Sequence, residues 1–182
     1  MLGESSRAKN FSLNGYERDT NSFLNEYKND IISFKNFESC ATFTAGSLTC
    51  TFSHLPREKF DYAKSFKYES LIDIFNKVGF DVSWRSNNGR CKGVCDRVKN
   101  SLVKSFGDNI YDDLLFKAFM MDLNRIGDKN NLIVLHGRGS HGPLYYNRYP
   151  KDFEKYKPAC NDDIDKCKVD EIVNAYDNTI YY

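Results

Sequence analysis

The chain has 182 residues and a mass of 21.1 kDa, enough for one domain with a real core. Its 26 Lys+Arg nearly cancel its 25 Asp+Glu, and the charges are interspersed, which excludes the basic excess of a nucleic-acid binder. At 41% hydrophobic and 15% aromatic residues it is not a disordered chain, and no apolar run is long enough to span a bilayer.

The cysteines carry the first functional signal. Six of them fall as three close pairs, Cys40/Cys50, Cys91/Cys95 and Cys160/Cys167. Six cysteines allow fifteen connectivities, among which local pairing is the economical choice. Cytosolic thiols or a zinc site are the alternatives, but C-x3-C and C-x6-C without a fitting histidine make a poor zinc pattern. Local disulfides imply an oxidising compartment. Only Met1 and Leu2 precede Gly3-Glu4, which is no export signal, so the expectation is that the start of the chain is missing.

In chain order, Gly3-Glu4-Ser5-Ser6-Arg7 reads as the carboxyl end of a strand, where open α/β sheets place functional residues. Asn14-Gly15 marks a turn. Residues 20–29 form a short amphipathic helix pattern through Phe23, Leu24 and Tyr27, and residues 31–37 read as a strand delivering the chain to Cys40. Between Cys40 and Cys50 the side chains are small or hydroxylic. They are suited to a disulfide-tied turn, or to a nucleophile that a bulky phosphorylated group must reach. A helix over residues 44–53, with Ala45, Leu48 and Phe52 inward, would point its free N–H groups at an incoming phosphate. Residues 68–78 predict a second helix through Leu71, Ile72, Phe75 and Val78, capped by Gly79.

Residues 80–84 alternate as a strand, followed by the turn-rich Ser86-Asn87-Asn88-Gly89. The longest helix is expected over residues 109–126, with Asp108 as cap, Gly127 as stop, and Met120 and Met121 as core filler. Leu132-Ile133-Val134-Leu135 reads as a strand buried on both faces of a parallel sheet, and the glycine-rich loop from His136 to Pro143 comes directly after it. Residues 169–182 have helical periodicity through Ile172, Val173, Tyr176 and Ile180. No internal repeat appears. Alternating strands and helices argue for an α/β fold with a mainly parallel sheet. Glu4, Asn87/Asn88 and His136/His141 would then lie at strand ends along one edge, with Thr44 following a fourth.

Each candidate has a bland reading beside its functional one. Glu4 is a metal ligand or a solvated carboxylate at a frayed end. His136 and His141 are ligands or acid–base groups, or two loop histidines. His54 is structural or exposed. Asn88 and Lys92 neutralise a phosphate, or Lys92 is one solvated lysine among many. The tyrosines of Tyr145-Tyr146-Asn147-Arg148-Tyr149-Pro150 face a substrate or pack on a loop.

Taken together, Gly3 to Ala8, Asn14-Gly15-Tyr16-Glu17-Arg18-Asp19-Thr20, Cys40 to Cys50, and Trp84 to Val98 with Cys91-Lys92-Gly93-Val94-Cys95-Asp96-Arg97 form a recognisable series. Gly139-Ser140-His141-Gly142-Pro143, Tyr146 to Pro150 and Asn174-Ala175-Tyr176-Asp177-Asn178 extend it. The series resembles the catalytic domain of bacterial phosphoethanolamine transferases, the lipid A-modifying group that includes mobile colistin-resistance enzymes, within the alkaline phosphatase/sulfatase superfamily. The resemblance implies a sulfatase-like α/β sandwich with a mainly parallel sheet, incomplete here because a first strand and a C-terminal half are lacking. Residues 1–182 would be the N-terminal segment of one catalytic domain with no transmembrane part.

It further implies that Thr44 is the nucleophile, taking phosphoethanolamine from phosphatidylethanolamine and passing it to lipid A or another glycan or protein acceptor. Zinc would be bound by Glu4 and Thr44 and would favour the threonine alkoxide. Thr42, Asn88, Lys92 and His141 match positions around the phosphoethanolamine group, with His136 nearby. The three cysteine pairs match local disulfides worth roughly 2–3 kcal/mol each. The parent would sit at the periplasmic face of the inner membrane, held by N-terminal helices not in this chain, with no nucleic-acid partner.

The departures are specific. The family's later Asp-His-Gly-Glu segment is missing and no Asp-His dipeptide occurs anywhere, so the zinc site is incomplete and this segment alone is expected to be inactive. A hydrolase of the same superfamily and a catalytically inert truncated remnant are the alternatives. Against the hydrolase, no C/S-x-P-x-R sulfatase motif surrounds Thr44.

Overall fold

The computed structural model describes residues 1–103 and 111–182. The described residues fall into two compact units. One comprises Met1–Leu2, residues 38–103 and Asp112–Gly137; the other comprises Gly3–Phe37, Tyr111 and Arg138–Tyr182.

The first unit is built on three parallel strands, β1 (Asp81–Ser86), β2 (Lys99–Leu102) and β3 (Asn131–His136), in the order β2-β1-β3. Ser86 pairs with both Leu102 and His136, so the three carboxyl ends are in register. Leu2 adds an isolated parallel bridge at His136. Beyond the ladder, Val103 N–H donates to Ser86 O at 2.7 Å and Gly137 N–H to Leu2 O at 2.9 Å. Val82 and Trp84 point into a core shared with Leu48, Ile72, Val94, Val134 and the Cys91–Cys95 disulfide.

Among the described residues the α-helices of this unit are α2 (Thr44–Thr51), α3 (Tyr62–Ser65), α4 (Leu71–Lys77) and α5 (Asp113–Leu123). Helix α4 starts later than its periodicity predicts because Ser70 and Asp73 form a reciprocal capping box. Only its Ile72–Phe75 side is covered, and Leu71 and Val78 remain exposed. The strand β2 has no sequence signal: Lys-Asn-Ser-Leu neither alternates nor is buried, and pairing with β1 alone makes it a strand.

The region of the longest expected helix departs from its sequence reading in part. The described part of the long helix begins at Asp113; the expected Asp108 cap and Asn109 start lie outside the described residues. Met120 and Met121 are not core filler but more than half exposed. The reason is a half-buried ion pair. Asp122 lies seven residues after fully buried Leu115, hence on the same face, and accepts from Arg85 Nε and Nη2 at 2.8 and 2.6 Å. That pairing turns the methionines outward. Strand β3 is deeply buried only at Val134, Leu135 and His136, whereas Leu132 and Ile133 are half-covered, short of burial on both faces.

The second unit contains α1 (Ser22–Glu26) and α6 (Val169–Tyr181) joined by turns and 3-10 segments. Helix α6 holds the unit together with polar side chains. Fully buried Asp177 accepts from Asn10 Nδ2 (2.8 Å), Tyr16 Oη (2.8 Å) and Arg18 Nη1 (2.9 Å). The expected strand over residues 31–37 is not formed: its residues make no ladder, and Ile32, Phe34 and Phe37 are 83, 71 and 76% exposed. Strand-forming side chains specify a strand only where a neighbour supplies the hydrogen bonds, and none of the described residues does so. The α/β, parallel-sheet expectation stands. All six cysteines pair locally, as Cys40–Cys50, Cys91–Cys95 and Cys160–Cys167.

Candidate nucleophile and phosphate-binding site

Thr44 is the first residue of α2, directly after Phe43 in extended conformation, and Phe43 as N-cap residue makes no side-chain cap bond. The first intrahelical bond is Ser47 N–H to Phe43 O, 3.0 Å. The hydroxyl therefore sits where backbone donors and the helix dipole favour an anion. Thr42 is exposed two residues earlier. Gly46 has a structural reason of its own: a Cβ there would come within 2.5 Å of the Phe43 ring, which packs over the first turn. The Cys40–Cys50 bridge ties the approach to α2 to the buried end of the helix.

Asn88 and His136 meet at the carboxyl ends of β1 and β3. His136 Nδ1 lies 3.1 Å from Ser86 Oγ, and Nε2 lies 3.4 Å from Asn88 Nδ2. Ser86 Oγ also accepts from Asn88 N–H at 3.1 Å. One assignment satisfies all three contacts: neutral His136 donates from Nδ1 to Ser86 and accepts at Nε2 from the Asn88 amide. His136 is 1% exposed and stacks edge-on against Trp84. Its register in β3 places it there, directly beside Ser86.

Lys92 is exposed on the small Cys91–Cys95 ring with φ +54°. Left-handed backbone is costly for a non-glycine residue and marks positions that the surrounding structure holds deliberately. Among the described residues the other non-glycine with positive φ is Ser5, next to Glu4.

In the second unit, Glu4 and His141 are linked through the backbone. Ser140 N–H donates to Glu4 O at 2.9 Å, and Gly139, at φ +48°, passes so close that a Cβ would lie 2.8 Å from both Glu4 N and Glu4 O. Glu4 Oε1 accepts from Ser5 Oγ at 3.1 Å. His141 is exposed, with Nδ1 2.8 Å from Gly142 O. Helix α6 fixes this pair of loops: Tyr176 Oη accepts from Arg7 N–H at 2.8 Å and donates to Ser5 O at 2.7 Å, and the Thr179, Ser140 and Ser6 hydroxyls form a chain at 2.6 and 3.1 Å. In the sequence Tyr176 belongs to a helical periodicity and to the family series, and Thr179 carries no signal. Their place opposite Ser5, Arg7 and Ser140 arises from contacts more than 130 residues apart in some cases, which no local pattern reveals. Tyr149 is buried, consistent with packing, while its neighbour Tyr145 stacks on Tyr176. His54 is exposed and rests against Tyr68.

The donor set does not by itself fit a zinc ion. Among the described residues no group of three or more His, Cys, Asp or Glu is placed to hold a metal, every cysteine is in a disulfide, and His136 presents both nitrogens to Ser86 and Asn88. Glu4 and Thr44 alone are too few for tetrahedral coordination.

A parallel sheet with polar residues at its carboxyl ends and a hydroxyl at a helix N-terminus defines a class of anion-handling α/β proteins. The chain belongs to the sulfatase family, whose model matches residues 1–182. It is 43% identical over 191 residues to phosphoethanolamine transferase EptA of Escherichia coli K12, covering 100% of this chain and 34% of that protein. It is 34% identical to phosphatidylethanolamine transferase Mcr-1 of Escherichia coli, covering 99% and 36%. The chain thus spans about a third of the length of these relatives. Among solved structures, the soluble domain of lipooligosaccharide phosphoethanolamine transferase A from Neisseria meningitidis superposes with a TM-score of 0.93 at 38% identity, over 99% of this chain and 56% of that one. The periplasmic domain of EcEptC from Escherichia coli in complex with Zn shares the fold, with a TM-score of 0.81 at 23% identity.

Proposed function

We propose that residues 1–182 are the nucleophile-bearing segment of a single sulfatase-like catalytic domain in a phosphoethanolamine transferase. The observation that carries the reading is Thr44 at the start of α2, within a chain 43% identical to a protein named for that activity. Thr44 Oγ attacks the phosphorus of phosphatidylethanolamine. An O–P bond forms, the P–O bond to diacylglycerol breaks, and the threonine proton ends on the departing alkoxide. An acceptor oxygen, on lipid A or another periplasmic glycan or protein, then attacks the phosphorus of the phosphoethanolamine-threonine; a new O–P bond forms, the P–O bond to Thr44 breaks, and the acceptor's proton goes to the threonine oxygen.

The chain's own residues bind and orient. The α2 N–H groups and Lys92 offset charge on the phosphoryl oxygens, with Thr42 and Asn88 supplying hydrogen bonds to them. His136 is a positioning residue that fixes the Asn88 amide rather than touching the donor. The family resemblance adds His141 as a phosphoethanolamine-binding residue and Glu4 as a carboxylate. Because the donors here do not fit zinc, the metal belongs to the reading only with ligands from outside these residues, and the 182-residue chain alone transfers nothing. The whole protein works at the periplasmic face of the inner membrane. A hydrolase or inert remnant is not favoured, since the matching relatives are named transferases.

Peptide mass spectrometry of the full-length protein that carries this chain tests the proposal. Phosphoethanolamine is expected on the Thr44 peptide and absent from Thr44→Ala. An adduct on another residue, or release of free phosphate or sulfate without one, overturns it.

A further inference from the structure

In the first unit, three aromatic side chains stand in a row beside Thr44 with much of each ring in solvent. The Phe43 ring lies over the first turn of α2 and meets Tyr62 edge-on, 5.5 Å between centroids; Tyr62 meets Phe66 the same way at 5.3 Å. Helix α3 supplies Tyr62 and, at its C-cap, Phe66, four residues on and hence on the same face. Phe66 in turn covers Gly93, where a Cβ would lie 3.1 Å from its ring. The row thus runs from the residue before Thr44 to the residue after Lys92. Phe43, Tyr62 and Phe66 are 53, 39 and 52% exposed. A contiguous exposed row of rings marks a place where an apolar group is received.

Phe66 also borders a cavity of about 170 Å³ whose apolar wall is Phe52, Leu55, Phe60 and Val94. Of the charged side chains at its border, Asp61 pairs with Lys64 at 3.0 Å, Glu69 with Lys77, and Arg97 with Asp73 at 2.6 Å, while Asp96 is exposed to solvent. An ionic ligand would compete with these pairs, whereas an apolar chain lying between the rings leaves them in place. An apolar cavity of about 150 Å³ takes a benzene-sized group, so this one holds roughly six methylenes.

We infer that the Phe43–Tyr62–Phe66 row and the cavity behind Phe66 receive the acyl part of the donor lipid. This rests on the transferase reading of Thr44 and gives its donor site an apolar half. Thr44, at a helix start, and Lys92 adjoin the two ends of one apolar surface. A molecule whose phosphate joins a polar head to acyl chains satisfies both parts at once, whereas a phosphate donor without chains leaves the row uncovered.

A phosphatidylethanolamine with a photoactivatable diazirine midway along one acyl chain, irradiated with the detergent-solubilised full-length protein, tests this by peptide mapping. Label is expected on the peptides that hold Phe43, Tyr62 or Phe66. Label confined to other segments overturns the inference, and phosphoethanolamine found on Thr44 in the same sample leaves the transferase reading standing. Label on the row with no phosphoethanolamine on Thr44 upholds the acyl contact and overturns the transferase reading instead. Tyr62→Ser and Phe66→Ser, both at exposed positions, add a kinetic readout. The preference for dioleoylphosphatidylethanolamine over glycerophosphoethanolamine, taken as the ratio of their kcat/KM values, is expected to fall by roughly fivefold or more in each, through KM. A ratio unchanged in both folded variants counts against the inference, and where a variant does not fold the photolabel on the unaltered protein decides.

Discussion

Gly46 and Gly139 look alike in the sequence, each a glycine followed by a serine in a candidate site segment, yet they are glycines for different reasons. At Gly46 the obstacle to a Cβ is the edge of the exposed Phe43 ring, at the far end of a side chain that can swing away from its edge contact with Tyr62. Alanine would also favour α2 by about 1 kcal/mol. At Gly139 the obstacle is the Glu4 backbone, fixed by the Ser140–Glu4 bond, and φ is already left-handed. Gly46→Ala is therefore expected to change the unfolding free energy by less than about 1 kcal/mol, and Gly139→Ala to cost about 1–3 kcal/mol. Urea midpoints of the two variants decide, and the reverse order would refute the reading. His136 makes the same point in chemistry. The sequence shows a histidine at a strand end, but only the β1–β3 register reveals that it faces Ser86 and Asn88 rather than solvent.

Among the elements, the disulfides show how local sequence and packing divide the work. Loop entropy depends on separation, so the Cys40–Cys50 bridge, ten residues apart, should stabilise more than Cys91–Cys95, four apart, with both near roughly 2–3 kcal/mol. Packing reverses that order. Both sulfurs of the shorter ring lie in the core with Trp84, Ile72 and Val94, whereas Cys40 is only half-buried. Replacing Cys91 and Cys95 together by alanine removes the cross-link and opens core space, for a total of about 3–5 kcal/mol. The Cys40/Cys50 double variant should lose less, since only Cys50 of that pair is buried. Denaturant titrations in which the Cys40/Cys50 variant is the less stable would contradict this. Helices α2 and α6 were legible from spacing and periodicity. The strand β2 and the exposed face of α5 were not, because pairing with β1 and the Arg85–Asp122 ion pair determined them.

For the molecule as a whole, the arginine-paired carboxylates Asp73 and Asp122 set the response to acid. Burial pushes Asp73 up, but hydrogen bonds from Arg97 and Ser70 outweigh it and leave its pKa below the ordinary 3.8. Hydrogen bonds from Arg85 hold Asp122 below the same value against partial burial. A carboxyl with a lowered folded pKa contributes stability that is present above its unfolded pKa and lost as pH falls through the folded one. Stability is thus expected to be level near neutrality and to decline below about pH 4. Asp122→Asn should flatten that decline while lowering the neutral plateau. Urea midpoints recorded across this range check it, and an unchanged acid slope in the variant would count against the ion pair.

What the sequence determined by itself was the α/β class, the family series from Gly3 to Asn178, the Thr44 helix start and the pairing of neighbouring cysteines, all carried by residues close together along the chain. What the tertiary structure decided was the absence of a strand at residues 31–37, the outward methionines, the engagement of both His136 nitrogens, and the α6 hydroxyls beneath Ser5, Arg7 and Ser140. Each of these depends on which distant group supplies a hydrogen bond or covers a face, and spacing along one chain does not encode that.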